Sequence, residues 1–582
     1  MAPAQEVSPL TPQDEPGQPA QNQLPSVLGT PDAPVDPMQR VDTTLATLHG
    51  VVRNAITGEG VARALVRIEG DAEAGALTGS DGRFEIPGVP VGPQAVEVLK
   101  PAFLDASSHD QGAENGAGSG PAHNVLVAAE MPDVVFTLAP TCAIRGRVDL
   151  STGDAADGIE VGLVRRTVMD GRAIWQLSGF TKTKSDGTYR FGGLPDGQYE
   201  VYTAPALDSE PVSTLVAPGQ GNAAERWGYA SVFYPSARDP SGAQVIPVAN
   251  GGEAEANFLL TREPFETVTA NVAAPQTARG WMSYSAQVMD GAGHELPYPV
   301  QYDRNTQSIQ AALPDGSYSM LVSSNGLPAG MERAELGRAR VPSVLVGSAD
   351  FAVADHAVTE LRIPLSVSAS SSINVNVNRS GTGNPQTQDT QIAVMVSQAG
   401  GWTGGGIVGQ FAGGTVAAPL ETQYEAPGPY WVHTSFSGQG VCEASFTAGG
   451  ANLAREPLVI GISGATAPME LTLRDDCAAL TVSLPESAMT FAAGDELFYT
   501  VYAVPDFDFT RDLDPVVLRP STQGSFTLNG LTPGNYHVYT FEGDVRLEYR
   551  NPAVLAAFPN PGQAVTLSPG TTGTLVLEIP AQ

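Results

Sequence analysis

The densest run of potential ligand groups is Asp506-Phe507-Asp508-Phe509-Thr510-Arg511-Asp512-Leu513-Asp514, four carboxylates in nine residues. Calcium draws several oxygen ligands from one loop, which is the chemistry such a run could do. The glycine and the distal glutamate of a helix-loop-helix calcium site are missing. Alternation of Asp with Phe and Leu also fits an exposed strand edge with solvated charges, so no metal or cofactor is assigned. Zinc-peptidase chemistry has no foothold: none of His49, His109, His123, His294, His356, His433 and His537 has a glutamate three residues later. No His-Glu-x-x-His, Gly-x-Ser-x-Gly or Gly-Lys-Ser/Thr motif occurs. Gly404-Gly405-Gly406-Ile407-Val408-Gly409 matches Gly-x-Gly-x-x-Gly, but it lies in a glycine-rich run without a βαβ setting and reads as a loop or glycine-rich strand. No catalytic residues are assigned, and the chain is expected not to be an enzyme.

Flat aromatic rings beside carboxylates can stack on sugars. Trp402, Trp227 and Tyr229 are the candidate carbohydrate contacts, against the commoner reading of such rings as packing. His433, beside Trp431, alternates as a strand face and reads as a structural histidine. Cys442 and Cys477 stand 35 residues apart. Either they pair in an oxidising compartment and leave Cys142 free, or all three are separate buried thiols.

The elements that must position these residues are short strands. The 582 residues include 64 glycines and 47 prolines, well above average usage and poor material for long helices. A 42% hydrophobic content is too high for a wholly disordered chain. The net charge is −32, with three lysines among 30 cations, so a basic face for nucleic acid cannot be built. No apolar run reaches the roughly 18–20 residues of a membrane span. The N-terminus lacks the basic and apolar regions of a signal peptide.

Residues 1–42 hold nine prolines and six glutamines and read as a disordered leader. From residue 43 onward, runs such as Ala64-Leu65-Val66-Arg67-Ile68-Glu69 alternate with a period of two between Gly, Pro, Asn and Asp clusters, the pattern of β-sandwiches. One turn motif recurs, as in Leu194-Pro195-Asp196-Gly197-Gln198-Tyr199 and Leu531-Thr532-Pro533-Gly534-Asn535-Tyr536. Its glycines stand at 92, 197, 316, 428 and 534. Proline fixes the first corner, glycine supplies the next, and the tyrosine packs its ring while its hydroxyl reaches a polar edge. Ser80-Asp81-Gly82 and Ser185-Asp186-Gly187 are hairpin turns that precede it. The repeat divides the chain into five sandwiches: 43–140, 141–264, 265–370, 371–476 and 477–582. Residues 105–124 read as a flexible loop, and 221–236 as a short helix followed by an extended stretch.

The first two units resemble the carboxypeptidase regulatory-like domain. The matching residues are Gly50-Val51-Val52, Thr57 to Val61, Ala64-Leu65-Val66, Thr78 to Phe84 and Val89 to Val96. In the second unit they are Gly146-Arg147-Val148, Ser185 to Phe191 and Leu194 to Val201. The resemblance implies a transthyretin-like sandwich, near the carbohydrate-binding-like folds, and it does not imply peptidase activity. The layout is similar to secreted bacterial proteins that string such domains together. The expectation is therefore all-β: tandem Ig-like or transthyretin-like sandwiches in an elongated array, extracellular, periplasmic or at the cell surface. The function expected is a non-catalytic spacer or interaction scaffold for other surface proteins, with a carbohydrate-binding array attaching to polysaccharide as the alternative.

Overall fold

The computed structural model describes residues 44–579 apart from 71–73, 106–121, 209–225, 274–282, 292, 326–343, 368–370, 380–389, 400–406, 424, 438–439, 490–497, 521–522, 544 and 559–560. The leader, most of the 105–124 loop, Trp402 and Gly404 lie outside the described residues. The regular elements of the described chain are nearly all strands. Among the described residues the one α-helix is Pro552–Ala557, capped by the Asn551 side chain.

The sheets form five successive sandwiches, as the strand alternation dictates. In Arg83–Pro90, for example, Phe84, Ile86 and Val89 point into a core while the intervening side chains face out. Each unit's opening strand lies parallel to its closing strand. Leu45–Asn54 pairs with Val134–Pro140, Cys142–Leu150 with Phe258–Leu260, and Arg262–Ala273 with Val358–Pro364. Ser372–Asn378 pairs with Met469–Arg474, and Ala478–Ser483 with Thr572–Val576. This pairing brings the two ends of each unit together around its own apolar cluster.

The recurrent turn does the same work in every unit. The Tyr199, Tyr318, Tyr430 and Tyr536 hydroxyls donate to the carbonyls of Pro195, Pro314, Ala426 and Thr532, each four residues upstream, at 2.6 to 3.0 Å. In the first unit Gln94 replaces the tyrosine, and its Nε2 donates to the Pro90 carbonyl at 3.1 Å. The Asp-Gly turns also form: Asp81 Oδ1 accepts from Arg83 N, and Asp186 Oδ1 from Thr188 N.

The extended stretch expected within 221–236 is present, and residues 221–225, at the start of that segment, lie outside the described residues. Arg226–Tyr229 and Val232–Phe233 are strands. Arg226–Tyr229 adds to the sheet of the third sandwich, where Trp227 lies opposite Pro264. The strand's partner belongs to the next unit, a pairing that propensity does not specify.

Sandwiches touch beyond their chain neighbours. Arg166 in the second pairs with Glu548 in the fifth at 2.8 Å, across 382 residues of sequence. Arg172 donates to the carbonyl of Ala454 in the fourth at 3.0 Å. The array thus returns on itself where these three units meet.

Candidate functional site

The meeting point is built around a hairpin. Strands Glu160–Met169 and Arg172–Lys182 of the second sandwich pair antiparallel and are joined by Asp170-Gly171. Both joining residues have positive φ, 48° and 70°, which a two-residue hairpin of this kind requires and an Asp-Gly pair tolerates. The tip therefore projects the Asp170 carboxylate and the Arg172 guanidinium beyond the sheet.

Strand Gly428–Ser437 of the fourth sandwich receives the tip on its outer face. Arg172 sits 3.6 Å above the Trp431 ring. Burial, aided by the nearby Arg550 cation, lowers the Arg172 pKa to about 10. His433, on the same face as Trp431, is only 1% exposed.

The fifth sandwich closes the third side with the aspartate-rich run. Thr510 accepts a backbone hydrogen bond from Thr434 N at 3.1 Å, and Thr434 and Arg511 form an isolated parallel bridge that holds the run beside Gly428–Ser437. Glu443, buried beneath, fixes this contact. Its carboxylate accepts from the Thr434 hydroxyl at 2.7 Å, the Thr510 hydroxyl at 2.7 Å and Thr510 N at 2.8 Å. Arg550 locks the hairpin to the run. It donates to the carbonyls of Asp170 at 2.9 Å, Phe509 at 2.6 Å, Thr510 at 3.2 Å and Arg511 at 3.1 Å. Its plane lies 4.5 Å over Phe509. A buried cation needs this many acceptors to offset its desolvation.

At the centre, His433 Nδ1 lies 2.8 Å from Asp512 Oδ1 and 3.4 Å from Asp170 Oδ2, while His433 Nε2 lies 2.7 Å from Ser397 Oγ. Burial and the neighbouring Asp512 charge push the Asp170 carboxyl above the usual carboxylate range, against the opposing pull of His433 and Arg550. Ser397, His433 and Asp512 share the connectivity of a serine nucleophile, its base and an orienting carboxylate. A nucleophile needs an open face toward its substrate. Ser397 is 6% exposed and His433 1%, both beneath the contact, so the row reads as a packed polar joint.

The residues singled out in the sequence fall as follows. Three of the four carboxylates of 506–514 are directed to different partners. Asp506 pairs with His537, Asp508 with Arg455 and Asn452, and Asp512 with His433. Tyr229 is 8% exposed and packs in the second core, so it offers no ring face to a sugar. Trp227 is half-buried with the Arg262 guanidinium 4.7 Å from its ring. Trp402 lies outside the described residues. Cys442 and Cys477 are joined, with Cα atoms 5.7 Å apart, and Cys142 is free and buried. The sequence reading missed Asp170, Ser397, Glu443 and Arg550. Asp170-Gly171 carried a hairpin signal, but no local pattern tells where a hairpin tip docks.

Residues 47–125 match the family described as carboxypeptidase regulatory-like domain. The match lies within the first sandwich. The regulatory-like domain lies outside the three-way junction, so the match assigns no role to the junction residues. No curated protein matches the chain. Among solved structures, the Bacillus anthracis TIE protein is similar at 11% identity, covering 69% of this chain and 71% of its own, with a TM-score of 0.16. The Streptococcal ancillary pilin is 11% identical, covering 55% and 99%, with a TM-score of 0.17. Two B repeat units of the collagen binding protein of Staphylococcus aureus are 10% identical, covering 70% and 94%, with a TM-score of 0.14. At these values the likenesses carry no argument about this chain.

Proposed function

We propose that the chain is a non-catalytic scaffold, secreted or displayed at a cell surface, which holds β-sandwiches in a fixed arrangement and presents their outer faces to other surface proteins. The observation that carries this reading is the junction. Groups from the second, fourth and fifth sandwiches bond one another there, and its one serine–histidine–aspartate row is buried in the contact. A flexible spacer has no need of buried polar joints between units far apart in sequence. An enzyme would leave the row open. The joined cysteines and the acidic, lysine-poor composition suit an oxidising exterior. Among the described residues no helix is long and apolar enough to cross a membrane.

The test is a panel of p-nitrophenyl esters, glycosides and peptide amides offered to the full-length chain and to Ser397→Ala. The expected result is no turnover by either. Turnover by the parent that is abolished in Ser397→Ala would overturn the scaffold reading.

A further inference from the structure

The junction leaves two buried side-chain atoms without a hydrogen bond among the described residues, Arg172 Nε, on the residue that stacks over Trp431, and Asp170 Oδ2. Asp170 Oδ2 is buried and accepts no hydrogen bond among the described residues, although it faces His433 Nδ1 at 3.4 Å. Asp512 Oδ1 faces the same nitrogen at 2.8 Å. One imidazole N–H directed at Asp512 leaves Asp170 without a donor. An orphaned buried carboxylate oxygen is costly and marks a place where an ion would complete the structure. The three ligand atoms, one imidazole nitrogen and two carboxylate oxygens, all lie within 4.8 Å of one another.

We infer that Asp170, His433 and Asp512 bind one divalent first-row transition-metal ion, which pins the second, fourth and fifth sandwiches together. This goes beyond the scaffold reading, which needs only that the joint hold. Imidazole with carboxylates is a donor set for such ions, whereas calcium and magnesium take oxygen alone. Metal–ligand bonds of about 2.0–2.1 Å in a tetrahedral site separate ligand atoms by about 3.3 Å. The Asp170 separation already meets that value, and Asp512 needs to withdraw by about half an ångström. Ser397 supplies the outer partner that a metal-bound histidine uses. With Nδ1 on the ion, Nε2–H donates to Ser397 Oγ across 2.7 Å. Two carboxylates balance the ion's charge. Arg550 is turned to backbone carbonyls and comes no closer than 4.0 Å to Asp512 in their ion pair. The Asp170 and Asp512 side chains, 16% and 17% exposed, give the ion a way in.

The experiment titrates the full-length chain, after treatment with chelator, with Zn²⁺ by calorimetry and with Co²⁺ by visible absorption. Asp170→Asn and Asp512→Asn serve as the variants. Asparagine tolerates the positive φ at residue 170, and it removes the charge at nearly constant volume. The expected result is one ion per chain, with affinity at least about tenfold weaker in each folded variant. Zn²⁺ should also slow amide exchange at the hairpin tip in the parent only. Failure of the parent to take up an ion stoichiometrically would overturn the inference. So would uptake unchanged in whichever of the two variants folds.

Discussion

Replacing Gly171 with alanine tests whether the hairpin tip holds three sandwiches together. Gly171 has φ of 70°, and a Cβ built on it would lie 2.5 Å from Cδ2 and Cε2 of Tyr549 in the fifth sandwich. Real Cβ atoms do not approach that closely, so either the ring or the hairpin must move. Tyr549 is boxed in by Tyr502 and Phe509, with ring centroids at 6.1 and 6.0 Å, so the hairpin is the part that gives. Alanine at this φ costs roughly 1–2 kcal/mol by itself. Withdrawal of the tip also breaks the Arg550 N to Gly171 O bond at 2.9 Å and the Arg550 Nε to Asp170 O bond at 2.9 Å. Each is worth about 1 kcal/mol or more. The sum is about 3 kcal/mol, or a hundredfold or more in the opening equilibrium of the joint. A single melting temperature would blur this in a chain of several sandwiches, so hydrogen exchange at individual amides is the proper assay. The amides of Arg550 and Leu513, which bond Gly171 O and Tyr549 Oη, should exchange about a hundredfold faster in the variant. Gly153→Ala is the control. Gly153 has φ of 93° with open space around its Cβ, so it carries the strain without the clash. Unchanged exchange at Arg550 and Leu513 in Gly171→Ala would refute the claim that the tip is structural.

Two further outcomes follow from other sites. Burial raises the Glu425 carboxyl from its ordinary value of 4.5 to about 7, so the folded chain binds a proton that the unfolded chain releases. Stability should therefore be greatest below about pH 4.5 for this group and fall as pH rises toward 7. Glu425→Gln should flatten the fall, seen as a smaller difference in melting of the fourth sandwich between pH 5 and pH 7, and parallel profiles would remove the idea. Tyr536→Phe removes the 2.6 Å hydroxyl bond to Thr532 O while keeping the ring, and should destabilise the fifth sandwich by about 1 kcal/mol in local exchange. No loss of protection there would show that the recurrent turn rests on proline and glycine alone.

Much of the architecture was legible because its causes are local. Leu194 to Tyr199 specifies a turn and a buried ring within six residues, and the hydroxyl finds a carbonyl only four residues back. Even Gln94, which breaks the motif, reaches the equivalent carbonyl. The ladder partner of the 226–229 strand, Arg262–Ala273, belongs to the next unit, which no local pattern shows. The aspartate run at 506–514 received no ion in the sequence reading, and spacing could not show where each carboxylate points. In the fold its side chains diverge to His537, Arg455 and His433, on elements that the run itself does not specify.

The sequence by itself determined the tandem sandwiches, because strand alternation and turn chemistry act over a few residues and repeat five times. Only the tertiary structure decided that Asp170, His433 and Asp512 meet. They come from three units and up to 342 residues apart, and each is an ordinary polar residue in its own strand or turn. Their encounter depends on how folded sandwiches dock through Arg550, Glu443 and the Gly171 tip. Docking is set by the shape and charge of finished surfaces, which no local pattern encodes.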